Sequence, residues 1–183
     1  LDRKFLKYPK RQYGMDHDRY EWSMLNDRKT VTWPNDKKLA FWVNVCLQYY
    51  PLNQKGEPFV TSGGLTMPYP DLRHYSLREY GNRVGIYRFL KCFDEYLIKP
   101  TFAMNTRVGE RYPYLLDVIK ERNEEIICHG LHMDAIHYGG QDIDEERELV
   151  SRSLDILRNL SGHDVTGWIS PDRNESENTP DLL

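Results

Sequence analysis

The sequence predicts an α/β fold with a parallel sheet, and two of its features indicate this class. Short apolar runs of strand length alternate with segments whose apolar residues recur every three to four positions, the spacing of a helix that packs on a sheet. The first of these runs is apolar almost throughout, as is typical of a parallel sheet covered on both faces. Repeated βα units of this kind imply a parallel sheet.

An arm, a first strand and a long loop are predicted at the start of the chain. Residues 1–36 are polar and aromatic without sustained periodicity and end in the turn signal Trp33-Pro34-Asn35-Asp36, so we interpret them as an N-terminal arm that packs on the fold. The apolar run Leu39–Leu47 predicts the first strand. Proline and glycine recur between residues 51 and 79, which predicts a long loop after that strand.

The middle of the chain is predicted to contribute two helices and two strands. Apolar residues at positions 86, 89, 90, 93 and 97 indicate an amphipathic helix. Thr101–Met104 and Glu125–Cys128 are predicted to be the second and third strands. Between them, apolar residues at positions 115, 116 and 119 mark a second helix, with Pro113 tolerated near its start.

The last part of the chain is predicted to add a helix and a fourth strand. Asp142, with Glu145 three residues later, resembles a capping box, and apolar positions 149, 150, 154 and 157 share one helical face. Val165–Ile169 predicts the fourth strand, and Thr179 is expected to be the N-cap of another helix. Four strands cannot close a (β/α) barrel, which typically needs ~250 residues, so we expect its C-terminal strands to be missing or supplied by another chain.

Composition restricts the class of partner. With 25 Lys plus Arg against 28 Asp plus Glu the net charge is -3, and the signs are mixed, so we expect neither nucleic acid nor a membrane surface as a partner. A small-molecule ligand fits better. No apolar run approaches the ~20 residues of a membrane span, and no signal-peptide pattern opens the chain. The 3 cysteines lack CxxC spacing and indicate buried thiols in a reducing compartment, so a cytoplasmic location is expected.

Polar residues follow the predicted strands, where βα folds place their functional groups. Asn44 and Gln48 are an even number of residues apart, which puts both side chains on one face of the first strand. Spacing alone favours a buried amide and an ordinary loop residue here. Asp172 and Arg173, with Glu175, form a charged loop that either orients a polar ligand or is simply a solvated turn.

The strongest local signal is Cys128-His-Gly-Leu-His132. His129 directly follows a buried strand, and Gly130 would let a ligand or backbone approach, which places an imidazole at the mouth of the sheet. A hydrogen-bonded loop histidine explains the pattern equally well. His129, His132 and His137 do not form a defined zinc pattern, and no carboxylate is fixed nearby by spacing, so no metal is expected.

Several blocks of sequence together resemble those of one superfamily. They are Tyr80-Gly-Asn-Arg-Val-Gly-Ile-Tyr-Arg88, Pro100-Thr, Glu125-Ile-Ile-Cys-His-Gly130, Gly167-Trp168 and Thr179-Pro-Asp-Leu-Leu183. In combination they resemble the NodB-homology, or polysaccharide deacetylase-like, superfamily in its metal-independent allantoinase-like branch. The resemblance runs from about Trp33 to the last residue. It implies a distorted (β/α) barrel, with residues 37–183 as its N-terminal part, and hydrolysis of a C–N bond in an amide.

The chain departs from that superfamily at two positions. Its sugar deacetylases carry an Asp pair at the end of the first strand and two His in an HxxxH motif, whereas this strand ends Asn44-Val-Cys-Leu-Gln48 and Met133 stands where the second His is expected. The allantoinase-like branch has a Glu where this chain has Gln48, and Gln cannot act as a general base. The resemblance therefore implies no metal cofactor, with zinc as the alternative, and puts catalysis by this chain alone in doubt.

These inferences combine into one leading hypothesis with two rivals. A hydrolase of a cyclic amide, ureide such as allantoin, or imide would use His129 to polarise the carbonyl or move a proton, Asn44 and Gln48 to hold amide edges, and Arg173 to bind an oxygen. Further substrate contacts are assigned to His132, Asn105, Trp168 and Ser170.

The first rival is a non-catalytic, degenerate subunit that binds a ligand or completes a partner's active site. The second is a metal-dependent polysaccharide deacetylase, in which His132 or His137 would have to replace the lost ligand. In each case we expect a second polypeptide that completes the barrel, or a homo-oligomer.

Overall fold

The structure is a computed structural model that describes residues 24–54 and 72–183. The chain divides into two units, Leu1–Phe41 and Trp42–Leu183. In the first, the described residues contain two single 3-10 turns, Leu25–Asp27 and Pro34–Asp36. The remainder of the predicted arm, residues 1–23, and residues 55–71 of the predicted loop lie outside the described residues.

A three-stranded parallel sheet forms the centre of the second unit. Its strands are β1 (Asn44–Leu47), β2 (Thr101–Met104) and β3 (Glu125–Cys128), in the order β1-β2-β3. The register pairs Leu47 with Met104 and Met104 with Cys128, so the three strands end at one edge of the sheet. Both β2 and β3 have the predicted bounds, and the predicted α/β class is confirmed.

The first predicted strand was too long. β1 begins at Asn44 and not at Leu39, and Leu39 and Phe41 are largely exposed. Its partner β2 begins at Thr101, directly after Pro100, which has no backbone N–H to extend the ladder. The apolar run is longer than the stretch that can pair with β2, so a prediction from hydrophobicity alone made the strand too long.

The fourth predicted strand, Val165–Ile169, is reduced to one parallel bridge between Cys128 and Trp168. The N–H of Cys128 donates to the Gly167 carbonyl, and the N–H of Ile169 donates to the Cys128 carbonyl, both at 2.9 Å. The ladder cannot extend because the Arg158 guanidinium takes the Val165 carbonyl at 2.9 Å, and the chain after β3 turns at Gly130 with a φ of 70°.

Two helices surround a π-helical turn before β2. α1 (Leu72–Tyr80) lies in the stretch predicted to be a loop, because the prolines and glycines of that stretch all precede it. A π-helical turn, Gly81–Gly85, joins it to α2 (Ile86–Tyr96). The stripe predicted for α2 is only partly buried: positions 86, 90 and 93 are buried, whereas positions 89 and 97 are exposed, the latter in the left-handed C-cap.

Four helices follow β2. α3 (Thr106–Arg111) was not predicted because six residues are too few to show a period, and α4 (Pro113–Glu121) occupies the predicted second helix. The Asp142 side chain caps α5 (Ile143–Ser161), as predicted, by accepting the N–H groups of Asp144 and Glu145 at 3.0 Å. In α6 (Thr179–Leu182) the N-cap is Asn178 and not the predicted Thr179. None of the helices in the described residues is both long and apolar enough to cross a membrane.

The core lies between the sheet and these helices. Strand residues pack against apolar side chains from α2, α4 and α5, and the largest fully buried apolar side chains are Phe102, Met104, Val108, Leu115, Ile119, Leu157 and Val165.

Candidate functional site

The segment around β1 sorts its side chains by alternate positions. Residues 43, 45, 47 and 49 pack in or against the core. Residues 42, 44, 46, 48 and 50 instead line a cavity of about 650 Å³. This is the period of extended backbone, and it confirms that Asn44 and Gln48 share one face. The opposite wall is formed by His129, Ile169, Asp172 and Arg173.

The hydrogen bonds of His129 define its tautomer. Its Nδ1 lies 2.7 Å from the Ile169 carbonyl oxygen, which can only accept, so Nδ1 carries the hydrogen. The neutral ring then has an unprotonated Nε2, which accepts the side-chain amide N–H of Gln48 at 3.1 Å. The Tyr50 hydroxyl donates to Gln48 Oε1 at 3.3 Å and fixes the orientation of that amide. His129 is therefore held as a base whose lone pair is occupied by Gln48.

Burial decides the charge of His129, which is only 2% exposed. Desolvation lowers its pKa, the hydrogen bond to the Ile169 carbonyl and the nearby Asp172 carboxylate oppose this, and the positive charge of Arg173 adds to it. The imidazole is therefore neutral at neutral pH. Burial also raises the pKa of Tyr50, so its hydroxyl stays a donor.

The block Tyr80–Arg88, which carries part of the family resemblance, holds the main chain of Gln48 in place. Asn82, in the π-helical turn Gly81–Gly85, is buried and donates its amide N–H to the Gln48 carbonyl at 2.8 Å. Short π-helical turns of this kind often occur at functional sites. Here the turn positions a cavity residue through its main chain.

The charged turn Pro171–Arg173 has unusual backbone geometry. Asp172 and Arg173 both have left-handed φ, 56° and 58°. Gly130 is needed beneath this turn, since it has a φ of 70° and a Cβ there would lie 2.4 Å from the Pro171 ring. The close approach that the sequence predicts at Gly130 is made by the side-chain ring of Pro171. Asp172 was predicted only as part of a charged loop, but it lines the cavity. Its position just after a predicted strand was the available signal.

Four residues predicted to contact substrate lie outside the lining of this cavity. Asn105 is fully buried; its Oδ1 accepts the Tyr49 N–H at 2.8 Å and its amide donates to the His129 carbonyl, so it ties strand ends together. His132 Nδ1 accepts the Asp134 N–H at 3.2 Å. The indole N–H of Trp168 donates to Ser170 Oγ at 3.0 Å. The structure thus brings together only Asn44, Gln48, His129 and Arg173 from the predicted set.

Among the described residues, the side chains do not fit a zinc ion of the kind that sugar deacetylases would bind. Within residues 24–54 and 72–183, no three His, Cys, Asp or Glu side chains gather as metal ligands would. His129 has its Nε2 on Gln48, and His137 lies apart from the cavity lining beside Glu146. That the chain carries no zinc stays a prediction.

Solved structures confirm the fold, whereas no protein-family model and no curated protein matches the chain. PuuE allantoinase superposes with a TM-score of 0.71 and 24% identity, over 91% of this chain and 57% of its own. A polysaccharide deacetylase-type structure from Pseudomonas aeruginosa PAO1 gives 0.62 and 25%, over 77% and 49%. One from Mycobacterium smegmatis gives 0.59 and 24%, over 83% and 50%.

The chain therefore spans about half the length of these structures. It has an α/β architecture with a three-stranded parallel sheet in the described residues, consistent with an incomplete (β/α) barrel. The resemblance to the polysaccharide deacetylase-like superfamily, allantoinase included, is confirmed at the level of the fold.

Proposed function

We propose that the cavity at the strand ends is the active site of a hydrolase that cleaves a non-peptide amide C–N bond in a cyclic amide, ureide or imide. One observation carries this proposal: a buried, neutral imidazole, whose unprotonated Nε2 accepts the Gln48 amide, lines a cavity that also holds amide, carboxylate and guanidinium groups. The similarity to an allantoinase structure supports the same class of reaction.

The lining matches both edges of an amide. Asn44 Oδ1 is buried and has no hydrogen-bond partner among the described residues, while its amide N–H donates to Cys46 Sγ at 3.3 Å. A substrate N–H would satisfy that oxygen, and Gln48 can offer the same groups when it turns from His129. Sites that leave polar groups unpaired in the absence of the correct substrate discriminate strongly.

The proton chemistry is assigned to His129. Because Nδ1–H is fixed on the Ile169 carbonyl, Nε2 has no hydrogen with which to polarise a carbonyl, which favours proton transfer over polarisation. His129 Nε2 takes a proton from water as the water oxygen bonds to the amide carbon, and it returns that proton to nitrogen as the C–N bond breaks. Arg173 stabilises the oxyanion, and Asp172 stabilises the imidazolium.

Turnover by the full chain tests this function. Allantoin, hydantoin, dihydrouracil and succinimide are incubated with the wild type and His129→Ala, and ring opening is followed by NMR. We expect hydrolysis of at least one compound and a turnover about 10²–10⁴-fold lower in the variant, as for a lost acid/base group. Equal turnover would remove His129 from the chemistry.

Elemental analysis should find no stoichiometric zinc, and about one zinc per chain, lost with activity on chelation, would contradict this.

A non-catalytic ligand-binding subunit is the second candidate, because Gln48 occupies the basic nitrogen of His129. Binding without turnover distinguishes it. Of the three thiols predicted to be buried, only that of Cys128 is buried, whereas Cys46 and Cys92 are exposed. Because Cys46 lines the cavity, a bound ligand should slow its alkylation by iodoacetamide in a Cys92→Ser background. Protection by allantoin without any hydrolysis would favour this candidate.

We also propose a cytoplasmic protein that works with a second polypeptide or a second copy. The solved structures of this fold are about twice as long, and β1 lies at the edge of the described sheet with the exposed Trp42 just before it. Size-exclusion chromatography with mass determination should give more than the 21.8 kDa of one chain. A compact, active monomer would overturn this assembly.

A further inference from the structure

A buried carboxylate lies outside the cavity and holds the far end of the charged turn. Glu146, on α5, is 0% exposed. Its Oε2 accepts the Ser176 hydroxyl at 2.5 Å, and its Oε1 accepts the Thr179 hydroxyl. A carboxylate that is removed from water needs such donors, because burying an unpaired charge is strongly unfavourable. Glu146 therefore ties the chain just after the charged turn to α5.

The same buried pair contacts the near end of the turn. His137 Nδ1 lies 3.1 Å from Glu146 Oε1, although the two atoms are not aligned for a hydrogen bond. The His137 ring packs on the Trp168 ring with centroids 5.9 Å apart. Trp168 is the residue that bridges to β3 and holds Ser170. Both ends of the segment that carries the charged turn thus converge on His137 and Glu146.

The turn between these anchors has strained backbone. Left-handed φ is unfavourable for a residue with a Cβ, and an arginine has no short side chain to compensate. Within the turn, the N–H of Arg173 donates to the Ser170 carbonyl at 2.9 Å and the N–H of Asn174 to the Pro171 carbonyl at 3.1 Å. Such a conformation persists only where its surroundings impose it.

We propose that Glu146 is a positioning residue: through the hydroxyls of Ser176 and Thr179 it fixes the turn that presents Asp172 and Arg173 to the cavity. Its effect on turnover rests on the proposed hydrolase function. Its effect on the conformation of residues 170–176 does not.

Thr179 offers a matched pair of variants. Thr179→Val keeps the shape and removes the hydroxyl, whereas Thr179→Ser keeps the hydroxyl. Hydrogen exchange of the backbone amides of residues 170–175 is measured by NMR or mass spectrometry in the full chain; the Ser176 N–H is left out because it donates to the Thr179 hydroxyl itself at 2.8 Å. We expect exchange at least tenfold faster in Thr179→Val and close to the wild type in Thr179→Ser. The exposed Thr166→Val is the control and should leave exchange unchanged.

Turnover gives the second readout. If the wild type hydrolyses one of the cyclic amides, Thr179→Val should lower kcat/KM about 10–100-fold, as for small misplacements of catalytic groups, and Thr179→Ser should restore it. Ser176→Ala removes the other tie and replaces Thr179→Val if that variant does not fold. Absence of hydrolysis by the wild type overturns the hydrolase and leaves the exchange result to decide the positioning role. Equal exchange in the valine and serine variants overturns the positioning role even if the enzyme is active.

Discussion

Two buried histidines in this chain have opposite surroundings. His129 and His137 are 2% and 1% exposed, and burial lowers the pKa of both. The ring of His129 forms part of a cavity wall, whereas that of His137 is enclosed by Glu146 and Trp168. Burial and a shifted pKa therefore do not distinguish a reactive histidine from a structural one. We propose the reactive role for His129 because its ring lines a cavity, which that of His137 does not.

The largest expected effect concerns Glu146, the buried carboxylate beside His137. Glu146→Ala should lower the free energy of unfolding by about 3–5 kcal/mol, because it removes the carboxylate that accepts two buried hydroxyl groups, at about 1–3 kcal/mol each, and creates a cavity. Urea denaturation measures the change. Glu148→Ala, on the exposed side of the same helix, is the control and should change stability by less than about 0.5 kcal/mol. Similar losses in the two variants would break the comparison.

A substitution in the cavity should change the protonation of His129 and not the stability of the fold. Gln48→Glu puts a carboxylate where an amide now donates to His129 Nε2, so the pKa of His129 should rise, because a nearby negative charge stabilises the imidazolium. An NMR titration of the His129 ring detects this. Asn159→Glu adds the same charge on the exposed surface of α5 and should leave the titration unchanged. An unchanged pKa in Gln48→Glu would mean that the two side chains do not meet in solution.

The smallest effect is the pH dependence of stability. Both histidines have a folded-state pKa below the unfolded value of about 6.5, so the unfolded chain takes up protons first as the pH falls. Stability should therefore be complete above that value and should fall below it, by at most about 1.4 kcal/mol per pH unit for each histidine. Urea denaturation between pH 8 and 5.5 should show a shallower decline in His137→Gln than in the wild type. Equal declines would mean that His137 does not contribute.

Strands were predicted correctly where the apolar run coincides with the stretch that pairs in the sheet. β2 and β3 have their predicted bounds because each is a short apolar run between polar or breaking residues. The first and fourth predicted strands failed because pairing depends on Pro100, and on the Arg158 side chain that takes the Val165 carbonyl. The spacing of apolar residues does not carry that information.

The site was predictable in part for a similar reason. The position of His129 directly after a strand, and the even offset of Asn44 and Gln48, correctly predicted that these three side chains meet at the strand ends, where they line one cavity. The buried role of Glu146 was missed because an acidic residue is normally assigned to the exposed face of a helix. It lies four residues before Val150 and eleven before Leu157, on the buried stripe of α5, and this spacing was the available signal.

A paired measurement on His129→Ala and His137→Ala tests the central claim most directly. Turnover of a cyclic amide and the free energy of unfolding are determined for both variants and the wild type. We predict that His129→Ala loses about 10²–10⁴-fold in turnover with a folded chain, and that His137→Ala loses mainly stability, by about 1–3 kcal/mol, with a far smaller loss of turnover. The reverse pattern, or equal losses in both variants, would contradict this account, in which the cavity carries out the chemistry and the buried pair stabilises the fold.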